Sequence, residues 1–349
     1  MKIHPFIMSI VIQLICLNIV SGQCPDPGPF YPALDSFYTN VNRAESFIAD
    51  ENFWQAITCY NRASQFRPLD YIDRINLLHC YLGSDMMPQA VSMIIEMSED
   101  KSALIFLNDK VYTDLINDEN WIYYVENEYK APPKYPIRNE WKKMFNDFQL
   151  TFSMKNKDSI DLIIKDIGSK IRKMISEDGY PTEQALGNGE STYSSAPSGW
   201  MFMIDLSVAL EDTDTKADSL LLSLLLKGDI APEIFVGLSS RHGSKSCGCD
   251  PLRDAIYLEY KNNLYTCNKK KEEEVDKCRK LLHIQSIANA KKIIEYQDKH
   301  PQFRFRASYN VISVYFLPHN VVETFDIKDY EGELVQIKHF EQNYRDFKK

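Results

Sequence analysis

Between Asn40 and Pro68, small and aromatic residues fall at spacings that suit a pair of packed helices. Ala44 and Ala56 lack bulk where two helices must approach, Phe47 and Tyr60 fill the space beside them, and Ala63 continues the second helix. Pro68 ends it, because proline has no N–H with which to extend the ladder. One unit further on, Leu77, Tyr81, Ala90 and Ile94 stand at the corresponding places, with Ala56 and Ala90 the sharpest match. A repeated helix–turn–helix signature forces stacking, since one helix pair cannot bury its apolar face alone. The helices that follow must then cap the stack. The aromatic run Trp121–Tyr129 reads either as that cap or as a platform for carbohydrate or peptide.

These positions resemble the tetratricopeptide repeat, a helix–turn–helix unit of 34 residues, with Asn40 and Arg43 standing where that family opens on Trp and Leu. The resemblance implies a concave surface for a peptide or partner protein, or else a repeat pair that packs against the rest of the chain. Cys59 and Cys80 fall inside the repeat helices and read as small core residues rather than a bridge.

The amino terminus sets the address. Lys2 precedes an almost wholly apolar run from Phe6 to Val20 that ends Val20-Ser21-Gly22, the layout of a cleavable signal peptide over residues 1–22. No later run is long and uncharged enough to span a bilayer, so the expectation is an exported protein, periplasmic or secreted, with no membrane insertion after cleavage. Of eight cysteines Cys16 leaves with the signal, so 8 − 1 = 7 remain, and export makes disulfides the default reading. With 40 Lys+Arg against 49 Asp+Glu the net charge is −9, which repels phosphate backbones and argues against nucleic acid.

The proline-rich stretch Ala131–Pro136 marks a linker over residues 131–138, separating a repeat domain (23–130) from a second helical domain (139–300) and a small β-containing segment (301–349). Ile160, Ile163, Ile164, Ile167, Ile171, Met174 and Ile175 keep helical spacing, and Leu220–Leu226 forms a short core helix that stops at Lys227-Gly228. Lys269–Glu274 reads as a solvated turn of helix. Phe303, Phe305, Ala307, Tyr309 and Val311 alternate with polar residues and predict a strand, with Val321–Ile327 and Leu334–Ile337 as partners. The fold class expected is mainly α: tetratricopeptide-like helical hairpins, then a second helical domain, with a small antiparallel β element at the C-terminus.

The stretch from Glu140 to Ala290 resembles an uncharacterised bacterial domain found in exported proteins. The likeness rests on Asp178-Gly179-Tyr180-Pro181, Gly187 and Arg241. Asp205 stands where that family places His, Ser240 where it places the Asp of an L-x-D-R element, and its Y-G-T-Q segment has no counterpart. The resemblance implies that any active site of the family is lost here.

Asp205, Arg241 and His242 remain the candidate catalytic residues of a hydrolase-like alternative. His242, Cys247, Cys249 and Cys267 offer zinc-type donors but lack paired C-x-x-C spacing, so no metal or cofactor is expected. A disulfide between Cys267 and Cys278 is expected, on the reading that the polar residues between them loop out from two antiparallel helices. The leading function is a non-enzymatic interaction or structural protein that meets a protein or peptide partner through its repeats.

Overall fold

The computed structural model describes residues 32–99, 112–128, 156–178, 216–233, 256–260 and 263–306, with shorter pieces at 140, 143–144, 146–147, 150–151, 154, 235, 311–313, 328, 332 and 334–339. The signal-like run, residues 131–138 and the Val321–Ile327 strand expectation lie outside them. Among the described residues the protein is mostly helical, with a small sheet near the C-terminus. The chain divides into two compact units. One comprises Met1–Asn42, Asp214–Pro301 and Phe305–Lys349; the other comprises Arg43–Thr213 and Gln302–Arg304. The units therefore interleave along the chain, whereas the sequence reading has its domains follow one another.

Helix α1 (Pro32–Ala49) contributes to both units, and α2 (Phe53–Ala63), α3 (Tyr71–Gly83) and α4 (Met87–Glu99) follow it. In the second unit α2 packs on α3 and α3 on α4. The residues that announce the repeat are interior: Ala44, Ala56, Tyr60, Ala63, Ala90 and Ile94 are fully buried. The backbone repeats as well. Glu51 and Asp85 both take the left-handed conformation, at φ 57 and 56. Asn52 N–H donates to the Phe47 carbonyl and Met86 N–H to the Tyr81 carbonyl, at 2.8 and 2.9 Å. Ala56 and Ala90 N–H donate to the carbonyls of Asn52 and Met86 at 3.1 Å. The pairs 51/85, 52/86 and 56/90 all differ by 34, the length of one helix–turn–helix unit.

Helices α5 (Thr113–Ile116) and α6 (Glu119–Asn127) pack against α4. Trp121 and Tyr124 are buried with ring centroids 5.7 Å apart, so these two aromatics serve as the cap of the stack. Helix α7 (Lys157–Asp178) buries Ile167 and Ile171 and pairs Lys170 with Asp166 at 2.5 Å on its exposed side, the amphipathic division its sequence predicts.

Close packing at the end of α3 yields a direct test. A Cβ on Gly83 would sit 2.7 Å from the Phe53 ring. Gly83→Ala must displace that ring, and overpacking of this kind costs about 1–3 kcal/mol. A drop of that size in unfolding free energy by urea titration is expected; an unchanged midpoint would show that the ring moves aside freely.

In the first unit, α8 (Lys216–Lys227) buries Leu222, Leu224 and Leu225. It ends as its sequence indicates: Gly228 is left-handed at φ 76, and the N–H of Asp229 returns to the Leu224 carbonyl at 2.9 Å. Strands β1 (Tyr257–Tyr260) and β2 (Asn263–Cys267) pair antiparallel with Tyr260 opposite Asn263. Helices α9 (Lys269–Leu281) and α10 (Ile287–Lys299) follow, then β3 (Val311–Ser313) and β4 (Leu334–His339). The sheet order is β3-β1-β2-β4, with β4 antiparallel to β2 and β3 parallel to β1. β4 covers the expected Leu334–Ile337.

Two expectations are corrected here. The first of the two antiparallel helices expected around Cys267 and Cys278 is instead the β hairpin region: Ile256, Leu258, Tyr260 and Leu264 belong to it, and the two-residue alternation puts Ile256 and Leu258 inside. The polar stretch after Cys267 is the helix α9 itself, started by Asn268, whose side chain accepts from Lys271 N–H at 2.9 Å. About 15 Å of helical rise therefore separates Cys267 from Cys278. A disulfide needs its two Cα atoms within about 7 Å of each other, so the Cys267–Cys278 bridge does not form. Cys278 is itself disulfide-bonded, and Cys267 is buried at the end of β2.

Candidate functional site

Helix α3 is buried on almost every side, and it carries polar groups into that interior. From Tyr71 to Tyr81 every residue is buried, including Asp73, Arg74, Asn76 and His79. Burying an amide without partners costs several kcal/mol, so each of these groups has to be committed to something. Asn76 and His79, three residues apart, share one face of the helix.

Asn76 is committed to the main chain of Arg304. Its Nδ2 donates to the Arg304 carbonyl at 2.6 Å, and its Oδ1 accepts the Arg304 N–H at 2.9 Å. The same Nδ2 lies 3.4 Å from the Tyr60 hydroxyl, which accepts from it. One side-chain amide thus engages both polar groups of a residue 228 positions away, as a neighbouring strand would. The preceding residue is held by rings. Phe303 stacks on Phe53 with centroids 5.9 Å apart and planes at 20°, and lies 5.3 Å from the His79 ring. His79 Nε2 is 3.0 Å from the Tyr112 hydroxyl, which fixes the imidazole in place. Phe303 is buried, and Gln302–Arg304 belong to this unit.

The electrostatics of this interior disfavour ionisation. Burial first, then the neighbouring Asp73 and Glu45 carboxylates, push the Tyr60 phenol well up. Burial pushes the Cys80 thiol far up, and burial also raises Cys59 despite Arg43 and Arg62 nearby. Cys59 and Cys80 are free and buried, as core residues should be. The site is a buried polar slot with an aromatic wall, suited to a polypeptide main chain and a ring.

A second asparagine repeats the main-chain contact in the other unit. Asn42 precedes Asn76 by 34 residues, and its Nδ2 donates to the His283 carbonyl at 2.5 Å. His283 is left-handed at φ 55, and its Nδ1 stands 3.0 Å from an Asp35 carboxylate oxygen.

The catalytic candidates Asp205, Arg241 and His242 lie outside the described residues, as do His242, Cys247 and Cys249 of the zinc-type set. Among the described residues no group of three or more His, Cys, Asp or Glu is placed to hold a metal, and no helix is long and apolar enough to cross a membrane. Phe303 enters the sequence reading only as a strand residue, and Phe53, Asn76, His79 and Tyr112 not at all. The signal that points to Asn76 is its 34-residue spacing from Asn42 within a repeat already marked by Ala56 and Ala90. The chain matches no family model, no curated protein and no solved structure.

Proposed function

We propose that this chain is an exported, non-enzymatic interaction protein whose tetratricopeptide-like repeats hold extended polypeptide. The observation that carries the reading is the pair of hydrogen bonds from Asn76 to the main chain of Arg304. A buried side chain that binds both the N–H and the C=O of one residue recognises backbone, and backbone is what an extended peptide offers. The 34-residue period of the helix turns supports the repeat reading, and the apolar run Phe6–Val20 supports export to a periplasmic or secreted location.

Selection of displayed random peptides on the full-length protein tests the proposal. Enriched sequences sharing a motif, and binding as synthetic peptides with Kd of about 1–100 μM, are the expected result. A selection that enriches nothing above the starting library would overturn it.

A further inference from the structure

The polypeptide seated on α3 is the protein's own. Among the described residues after Thr213, the segment Gln302–Arg304 alone belongs to the second unit. Its flanking residue Phe305 is placed in the first unit, where its N–H donates to Gln297 Oε1 at 3.2 Å and its ring meets the edge of Tyr296. What the second unit holds is therefore a minimal ligand, one ring and the main chain of the residue after it. Two asparagine bonds and two ring contacts belong to the anchorage.

We infer that Gln302–Arg304 is a resident stand-in for a partner segment: the slot formed by Phe53, Asn76 and His79 takes, from another polypeptide, an extended stretch with an aromatic side chain followed by any residue other than proline. This rests on the interaction reading above and states its ligand class. The aromatic requirement follows from the stacked Phe53 and the His79 ring, which Tyr112 holds in position. Proline is excluded at the second place because Asn76 Oδ1 needs an N–H to accept, and a proline has none.

Regulation is built into the arrangement. A tethered segment competes at an effective concentration on the order of millimolar, so a partner engages only when its own affinity or local concentration exceeds that threshold.

The test uses the full-length protein and a fluorescein-labelled synthetic peptide with the sequence of residues 299–306. Phe303→Leu weakens the resident ring contact without emptying the slot. Fluorescence anisotropy is expected to show this variant binding the peptide about ten-fold more tightly than the unsubstituted protein, because the tethered competitor is handicapped. A peptide with alanine in place of Phe303 should lose binding, and one with proline in place of Arg304 should bind about ten-fold more weakly, the loss of one uncharged, half-buried hydrogen bond. In the unsubstituted protein, hydrogen–deuterium exchange gives an independent readout: about 1 mM peptide should raise uptake over residues 302–306 as the resident segment leaves. This measurement decides the matter if Phe303→Leu fails to fold. Unchanged uptake at 302–306 under bound peptide, or equal affinity for the proline-containing peptide, would overturn the inference. Peptides that emerge from the display selection and bind without raising that uptake leave the interaction reading standing and remove only the resident-ligand one. If no peptide binds at all, both fall.

Discussion

Asn76→Ala is expected to lower the unfolding free energy by about 3 kcal/mol. The substitution removes the Asn76 partner of the half-buried Arg304 N–H and C=O, bonded at 2.9 and 2.6 Å, and losing a partner of this kind costs about 1–3 kcal/mol per group, less where water reaches it. Asn76→Asp sharpens the test because it keeps the shape. It retains an acceptor for the Arg304 N–H, but turns an oxygen towards the Arg304 carbonyl where a donor stood. It also adds a carboxylate to an interior where Asp73 and Glu45 already act on Tyr60. Its destabilisation should equal or exceed that of alanine. Urea unfolding of both variants measures this, with the midpoint falling and the slope unchanged. An Asn76→Asp protein of near-native stability would show that the amide bonds are not the source of the anchorage.

The second large effect lies on the alkaline side. Cys80 and Tyr60 are held neutral by burial, and Cys59 is shifted in the same direction. A folded state that keeps these protons longer than the unfolded chain binds more protons than it once the pH passes about 9, so stability falls as pH rises. Each such group removes about 1.4 kcal/mol per pH unit between its unfolded and folded values. The contribution is fully present below about pH 9 and is lost progressively above it, with Cys80 the largest contributor to that loss. Urea midpoints at pH 8, 9.5 and 11 should decline steeply, and Cys80→Ala should make the decline shallower. A midpoint equal at pH 8 and pH 11 would rule out a neutral interior at these residues.

Much of the helical half is legible because its signals are local. Ala56 and Ala90 mark positions where a larger side chain would not fit, and both are fully buried. Ile167 and Ile171 reveal the inner face of α7, and Gly228 the end of α8, since a helix terminus needs a residue that tolerates positive φ. The hairpin of β1 and β2 escapes for a different reason. Ile256, Leu258, Tyr260 and Leu264 are spaced at two, two and four, which fits a strand and a helical stripe alike. The arbitrating feature is the two-residue connection between Tyr260 and Asn263.

Phe303–Arg306 shows the limit most clearly. The alternation of Phe303 and Phe305 with Arg304 and Arg306 predicts a strand that does not form there: residues 303–305 are irregular, Arg306 lies in a 3-10 turn, and Arg306 is buried along with Phe303 and Phe305. It says nothing of what the chain lies against. Here the Arg304 main chain bonds to an asparagine side chain, and no period in either segment encodes a partner 228 residues away. The candidate site is invisible to pattern reading because it is a meeting of two distant segments, each of which looks ordinary alone.

That separation has a consequence in time. Ribosomes add about 5–20 residues per second, so the 228 residues from Asn76 to Arg304 take about 10–45 s to synthesise. Throughout that interval α2 and α3 exist without the residue that satisfies Asn76 and without the ring that covers Phe53 and His79. The first helices to be made are among the last to be finished. A nascent chain in this condition presents its open slot to whatever polypeptide is nearby, including the folding factors it meets before its own residues 302–304 arrive.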